Sequence, residues 1–331
     1  MSLPTATKTK QEPSRTRVKH AGLTDIGQVR AINQDSYYVD YIGEHGFLAV
    51  VADGMGGHKA GEIASQKAVT VMSKALEQAY AYPPTAIAKA VQAANLDIYN
   101  YALDNPEHKG MGTTLSSLYI DDQIGLVAHI GDSRAYLVRD GTIRQLTQDH
   151  SWVAERVRLG ILTEEEARNH RWRNVITNAL GANPEIKLDL MSFEVMPQDR
   201  ILLCSDGITS LIEDAMLARI LSQYMPEQAV EELVDRANEQ GSPDNVTAVI
   251  VLVEHVESNI KPYITQNHYE FTTVKLKDTL SGIRQIEAAY PQQKRAKQVF
   301  LQLWWRYRNW LIGGGSMVAL LLLWLVISLF R

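Results

Sequence analysis

The sequence predicts an α+β fold whose strands run antiparallel. Short β-type runs follow one another at Thr113–Ile120, Gln123–Ile130, Ala135–Arg139 and Thr142–Leu146. Asp121-Asp122 separates the first two and Asp140-Gly141 the last two, as hairpin turns do. Four neighbouring strands joined in this way imply an antiparallel sheet, not a doubly wound parallel one. Helix-like stretches stand at about Lys59–Ala79, Thr85–Asp104 and Glu213–Glu239, with Pro83-Pro84 splitting the first two. In the second, Ile87, Val91, Ala94, Ile98 and Ala102 fall at helical spacing, so one face packs inward.

The 331 residues suit one large domain with appendages, and 45% apolar with 21% charged residues is ordinary for a globular core. A formal net charge of −5 argues against a nucleic-acid partner and against a nuclease, because binding a phosphate backbone needs a basic face. The single cysteine, Cys204, lies in the apolar run Ile201–Cys204. It has no partner for an intramolecular disulfide, which fits a reducing compartment. Residues 1–17 are rich in Thr, Lys and Pro, lack a secretory signal and read as a disordered tail.

In chain order, residues 18–28 read as a first strand and Tyr37–Tyr41 as another. Phe47–Val51 is an apolar strand that feeds Ala52-Asp53-Gly54-Met55-Gly56-Gly57-His58. The glycines there let backbone groups approach an ion or a phosphate closely. His129 lies inside a strand, as a packing residue does. Residues 150–174 are charged and helix-like, with a capping-box pattern at Thr163 and Glu166, and read as a mobile flap leaving the sheet. Strands return at Ile186–Val195, at Arg200–Cys204 and, after Gly241-Ser242-Pro243-Asp244-Asn245, at Val246–Glu254. Residues 255–303 are polar and weakly periodic and read as a linker.

The C-terminal stretch 304–331 differs in kind. Trp310–Phe330 carries no charge over 21 residues. At about 1.5 Å per residue, that length crosses a hydrocarbon core of about 30 Å. Lys294, Arg295, Lys297, Arg306 and Arg308 precede it, with Trp304, Trp305 and Tyr307 at interface depth. The expectation is a single-pass cell-membrane anchor that leaves the bulk of the chain in the cytoplasm.

Five aspartates share a placement. Asp53 precedes Gly54, Asp206 precedes Gly207, Asp132 follows Gly131, Asp244 stands just before a strand and Asp35 just after a turn. Each alone is more often a turn or cap residue. Together on one rim they would repel one another unless cations neutralised them, and an all-oxygen set suits Mg²⁺ or Mn²⁺.

Arg30 with Asp35, Asp53 to His58, Gly110-Met111-Gly112-Thr113-Thr114, Gly131-Asp132-Ser133-Arg134, Ser205-Asp206-Gly207 and Asp244-Asn245 occur in this order. Over residues 18–254 this set resembles the protein phosphatase 2C-type (PPM) metal-dependent serine/threonine protein phosphatases, in particular their bacterial branch. The resemblance implies a four-layer αββα sandwich of two antiparallel sheets flanked by helices, with two Mn²⁺ or Mg²⁺ ions in the cleft and room for a third. Under it, Asp53 bridges both ions, the Gly54 carbonyl ligates the second, and Asp206 and Asp244 ligate the first. Asp35 acts through bound water, and Asp132 joins Asp206 at the third ion, for which Asn174 is a further candidate. Arg30 binds the substrate phosphate, a role that suits guanidinium geometry. His58 either protonates the leaving alkoxide or shapes the substrate groove. The implied reaction is in-line attack on phosphoserine or phosphothreonine by a water shared between the metals, with no phosphoenzyme. Phosphorylated proteins are the implied substrates, and the anchor points to membrane serine/threonine kinases as partners. The chain departs from the family pattern at His170-Arg171, where His-Pro is usual, and at Asn178, where Arg is common. Both departures bear on substrate preference, not on the metal site.

Overall fold

Alternating apolar residues turn the β-type runs into strands, and the turn residues set their register. The computed structural model describes residues 16–43, 46–57, 59–77, 83–256 and 269–276. In chain order the elements are β1 (Arg17–Asp25), β2 (Asp35–Ile42), β3 (Gly46–Met55), α1 (Ala60–Glu77), α2 (Pro83–Asp104), β4 (Gly112–Thr113) and β5 (Leu115–Asp121). Then come β6 (Ile124–Ile130), β7 (Arg134–Arg139), β8 (Thr142–Gln145), α3 (Trp152–Arg158), α4 (Glu164–Arg168), β9 (Ile186–Glu194) and β10 (Arg200–Cys204). The last are α5 (Asp206–Thr209), α6 (Asp214–Gln223), α7 (Pro226–Glu239), β11 (Val246–His255) and β12 (Tyr269–Leu276).

The strands form two sheets, ordered β1-β11-β10-β7-β8 and β12-β9-β6-β5-β3-β2, with the short β4 on the end of β3. Side chains alternate between the faces of each strand, so each sheet has an inner face and an outer one. Phe47, Ala49, Val51, Leu118 and Ile120 from one inner face meet Leu137, Ile201, Leu203, Val249 and Val251 from the other. The outer face of the smaller sheet buries Leu202, Cys204, Ala248 and Ile250 under Leu217, Ile220, Leu221, Val230 and Leu233 of α6 and α7. Helices α1 and α2 cover the outer face of the larger sheet, burying Ala64, Ala68, Met72, Ile87, Val91 and Ile98. The result is the αββα sandwich that the resemblance implied.

Three sequence expectations are corrected. The two predicted hairpins form, with Asp122, Asp140 and Gly141 at positive φ of 54°, 51° and 74° as their turns require. They do not share a sheet: β5-β6 lies in the larger one and β7-β8 in the smaller. The chain crosses between the sheets at Gly131-Asp132-Ser133. Gly131 adopts φ +104°, and a Cβ there would stand 2.6 Å from Thr114 Cβ. The stretch expected to be one helix over 213–239 is two, because Pro226 lacks an N–H and opens a new helix at its first turn. Finally, the expected linker contains β12, which pairs with β9 in full register from Tyr269↔Phe193 to Leu276↔Ile186.

The flap follows its local code. Ser151 caps α3 through the Ala154 amide, and Thr163 and Glu166 form the predicted capping box on α4. Among the described residues no helix is long and apolar enough to cross a membrane. The predicted span 310–330, the basic flank, residues 1–15 and His58 lie outside the described residues.

Candidate metal centre and phosphate site

Each sheet delivers carboxylates to the same rim. Asp35 and Asp53 are cross-strand partners on β2 and β3, and the strand alternation places both on the inner face with Tyr37 and Val51. In the other sheet, β10 and β11 are paired neighbours, with Asp206 just past the end of one and Asp244 just before the start of the other. Asp132 sits in the turn that crosses between the sheets.

These carboxylates act on one another's ionisation. Burial lifts the Asp35 carboxyl to about 7; hydrogen bonds from Thr247 and Ser205 oppose the rise, and the charges of Asp206 and Asp244 add to it. Asp206 is lifted to about 6 by burial and then by Asp244, with Arg30 pulling the other way. Asp53 is pushed well above the usual carboxylate range by burial, then by Asp35, Asp206, Asp132 and Asp244. Asp132 rises strongly as well, through burial and the charges of Asp206 and Asp149. A set of acids that raise one another in this way is poised for cations.

The oxygens fit divalent metal. Asp35 Oδ2 accepts from Ser205 Oγ at 2.8 Å and Thr247 Oγ1 at 2.6 Å. Its Oδ1 is buried without a hydrogen-bond partner, and so is Asp206 Oδ1. Bare buried carboxylate oxygens are costly unless a cation satisfies them. Gly54 cannot be replaced cheaply, because a Cβ would stand 2.1 Å from Gly61 O and 2.6 Å from Gln34 O. Carboxylate and carbonyl oxygens are the donors that Mn²⁺ and Mg²⁺ prefer. Among the described residues no three acidic, imidazole or thiol groups already close on one point, so the carboxylates frame the site without enclosing it.

Two glycine-containing motifs lock the frame. Thr113 Oγ1 and Thr114 N–H both donate to Asp53 O at 2.9 Å, and Asp53 N–H donates to Thr114 Oγ1 at 2.9 Å. Thr114 Oγ1 is in turn 2.7 Å from Ser133 Oγ, beside Asp132. Arg134 grips Asp149 through Nε–Oδ1 at 2.9 Å and Nη2–Oδ2 at 2.8 Å.

Arg30 stands at the open side. Its side chain is 47% exposed, and Nη2 donates to Asp244 Oδ2 at 2.7 Å. Asn245 fixes the loop that carries it. Oδ1 accepts from Gln34 N–H at 2.8 Å, and Nδ2 donates to Ile26 O at 2.9 Å and Ile32 O at 3.1 Å. Gly27, at φ +77°, lets the same loop press against Asp244, since a Cβ would lie 2.1 Å from Asp244 O.

The fold therefore gathers Arg30, Asp35, Asp53, Gly54, Asp132, Asp206 and Asp244 at one rim. Asn174 is exposed at the end of the flap. His129 is buried, and burial together with His150 lowers it to about 4, so its ring is neutral near pH 7. It lies 2.9 Å from Ser116 Oγ and 3.1 Å from Gln148 O, a packing role. Sequence reasoning missed the parts played by Ser205, Thr247 and Asn245. The signal for Thr247 was present: a hydroxyl in the otherwise apolar run that opens β11.

The comparisons settle the family. A model described as protein phosphatase 2C matches residues 27–245. The chain belongs to the protein phosphatase 2C family. Within it, the serine/threonine phosphatase stp of Listeria innocua is 36% identical over 234 residues, covering 69% of this chain and 93% of the relative. The crystal structure of the Mycobacterium tuberculosis serine/threonine phosphatase PstP/Ppp superposes with a TM-score of 0.67 at 36% identity, over 72% of this chain and 99% of that one. The catalytic domain of PstP in complex with two manganese ions gives 0.66 at 34% identity, over 72% and 99%. Strand β12 lies beyond the stretch of this chain that the family model matches.

Proposed function

We propose that the chain hydrolyses phosphoserine and phosphothreonine in proteins at the rim where Asp35, Asp53, Asp132, Asp206 and Asp244 meet, opposing serine/threonine kinases at a membrane. It is a protein-serine/threonine phosphatase of the 2C family that works with Mn²⁺ or Mg²⁺. The observation that carries the reading is the pair of bare buried oxygens, Asp35 Oδ1 and Asp206 Oδ1, within a set of mutually raised carboxylates. Asp53, the Gly54 carbonyl, Asp206 and Asp244 would hold two ions, Asp35 would act through water, and Asp132 with Asp206 would hold a third. When bound, the ions supply the Lewis acidity that makes water a nucleophile at neutral pH.

The protein's own groups do the rest. Arg30 binds the phosphate oxygens of the incoming residue, and its exposed place beside Asp244 supports this role. Asn245 ties down the main chain on either side of Arg30, at Ile26 and Gln34. Ser205 and Thr247 hold Asp35 by one oxygen and leave the other without a hydrogen-bond partner. His58 is the candidate to protonate the leaving alkoxide. The stretch 310–330 anchors the enzyme, with its catalytic domain in the cytoplasm, and so concentrates it near membrane kinases.

Titration of Mn²⁺ against hydrolysis of a phosphothreonine peptide tests the reading, with Asp206→Asn as control. Metal-dependent turnover that the variant lacks is the expected result, and no such turnover in the natural protein refutes it. The anchor has its own test: truncation after residue 303 should move the protein from the membrane fraction to the supernatant.

A further inference from the structure

The larger sheet carries a row of cross-strand partners along its inner face: Tyr37, Val51, Ser116, His129, Asp189 and Thr273. This row is the next inward-facing rung after the Asp35–Asp53 pair. Its last four members are polar, although they continue strand faces that otherwise supply Leu118, Val127 and Phe193 to the core. Two arms run from them to the crossing turn that holds Asp132. In the first, Ser116 Oγ donates to Ser133 O at 2.7 Å. The second starts on β12, where Thr273 Oγ1 donates to Asp189 Oδ1 at 2.7 Å. Asp189 is only 5% exposed, and its Oδ2 lies 3.1 Å from His150 Nε2.

His150 then clasps Gly131 twice. Its main-chain N–H donates to Gly131 O at 2.7 Å, and Gly131 N–H donates to its ring Nδ1 at 3.2 Å. With Nδ1 accepting, the ring proton sits on Nε2 and is directed at Asp189. His150 is also where the flap begins. The flap's far end returns to it, since Thr177 N–H donates to His150 O at 2.8 Å and Asn178 Nδ2 lies 3.0 Å from Nδ1. Asn178 also donates to Lys187 O at 2.7 Å, so the residue that departs from the family pattern is built into this hinge.

We propose that β12 is a working part of the enzyme: Thr273 is a positioning residue that, through Asp189 and His150, fixes the flap hinge and the Asp132 turn. The strand lies outside residues 27–245 that match the family. The inference rests on the phosphatase reading for its effect on turnover, but not for its effect on the hinge.

Thr273→Val keeps the shape and removes only the hydroxyl, and the residue is exposed at the sheet's edge, so the substitution opens no core cavity. Loss of a hydrogen bond to a carboxylate should raise the open fraction of the hinge about tenfold, read as faster tryptic cleavage at the flap arginines Arg156, Arg158, Arg168, Arg171 and Arg173. In the Mn²⁺-loaded enzyme kcat should fall and the Mn²⁺ concentration for half-maximal activity should rise, each by at least about threefold. Thr273→Ser should restore all three. Asp189→Asn, which keeps the side chain's volume but turns one acceptor into a donor, should move them in the same direction. Cleavage, kcat and Mn²⁺ dependence at natural values in Thr273→Val overturn the proposal, as does a lowered melting temperature with those three unchanged. If the natural protein proves to have no Mn²⁺-dependent activity, the functional reading fails and the cleavage rates alone decide the hinge.

Discussion

Asn245→Ala is the substitution that separates positioning from ligation at this site. Asn245 is 4% exposed and ties three main-chain groups of the 26–34 loop: Gln34 N–H, Ile26 O and Ile32 O. A buried hydrogen bond contributes about 1 kcal/mol net, and a partner left without water costs about 1–3 kcal/mol. Three such losses, partly relieved by water entering the widened gap, give a destabilisation of about 3 kcal/mol. None of the proposed metal ligands is removed, so Mn²⁺ binding measured by calorimetry should persist. The Arg30 loop loses its anchor, so kcat/KM for a phosphopeptide should fall by about tenfold or more, since small misplacements of a binding group are costly. Urea unfolding of the full chain reads the first effect and steady-state kinetics the second. Asn245→Asp keeps the acceptor for Gln34 but loses both donors, and should fall between alanine and the natural residue. A destabilisation below about 1 kcal/mol with unchanged kcat/KM would refute the assignment of Asn245 as the loop's anchor.

Arg30→Lys keeps the charge but loses the planar fork, so KM for phosphopeptide should rise about tenfold with the Mn²⁺ requirement unchanged. An unchanged KM would remove Arg30 from phosphate binding. Metal removal should expose the strain among the carboxylates as a pH dependence. Asp35 at about 7 and Asp206 at about 6 are raised in the folded state, so their contribution to stability is complete below the ordinary carboxyl range and is lost as pH rises through 6 and 7. With EDTA present, the melting temperature should therefore fall between pH 5 and 8, and saturating Mn²⁺ should abolish that fall. A flat or rising melting temperature in EDTA would show that the acids are not coupled as described.

The site was more legible than its support. Asp53-Gly54 and Ser205-Asp206-Gly207 can be read locally, because a carboxylate at a strand end beside glycine is a short-range pattern. Gly207 shows why the glycine is fixed: a Cβ there would stand 2.0 Å from Asn245 O. The partition of strands between sheets could not be read in the same way. Inward and outward alternation looks identical in either sheet, and only the crossing at Gly131-Asp132-Ser133 decides that β7 leaves the sheet of β6. Strand β12 did carry a period-2 signal, with Val274 and Leu276 buried and Lys275 exposed between them. A polar surrounding stretch masked it. The row from Ser116 to Thr273 depends on register across four strands, which no single segment encodes.

The sandwich also explains why these carboxylates gather at the rim and not on one sheet. Asp35 and Asp53 come from the larger sheet, Asp206 and Asp244 flank strands of the smaller, and Asp132 lies on the only segment that passes from β6 to β7. Any ion shared between Asp53 and Asp206 therefore ties one sheet to the other. Without cations, burial and mutual repulsion of these carboxylates oppose the close packing that the apolar inner faces favour. With cations the same charges become an attraction across the interface, so metal affinity and sheet-to-sheet packing draw on one free energy. The hydroxyls of Ser205 and Thr247, which satisfy a single oxygen of Asp35, are then a compromise. They hold the carboxylate in place in the apo protein, yet leave its second oxygen free for the site.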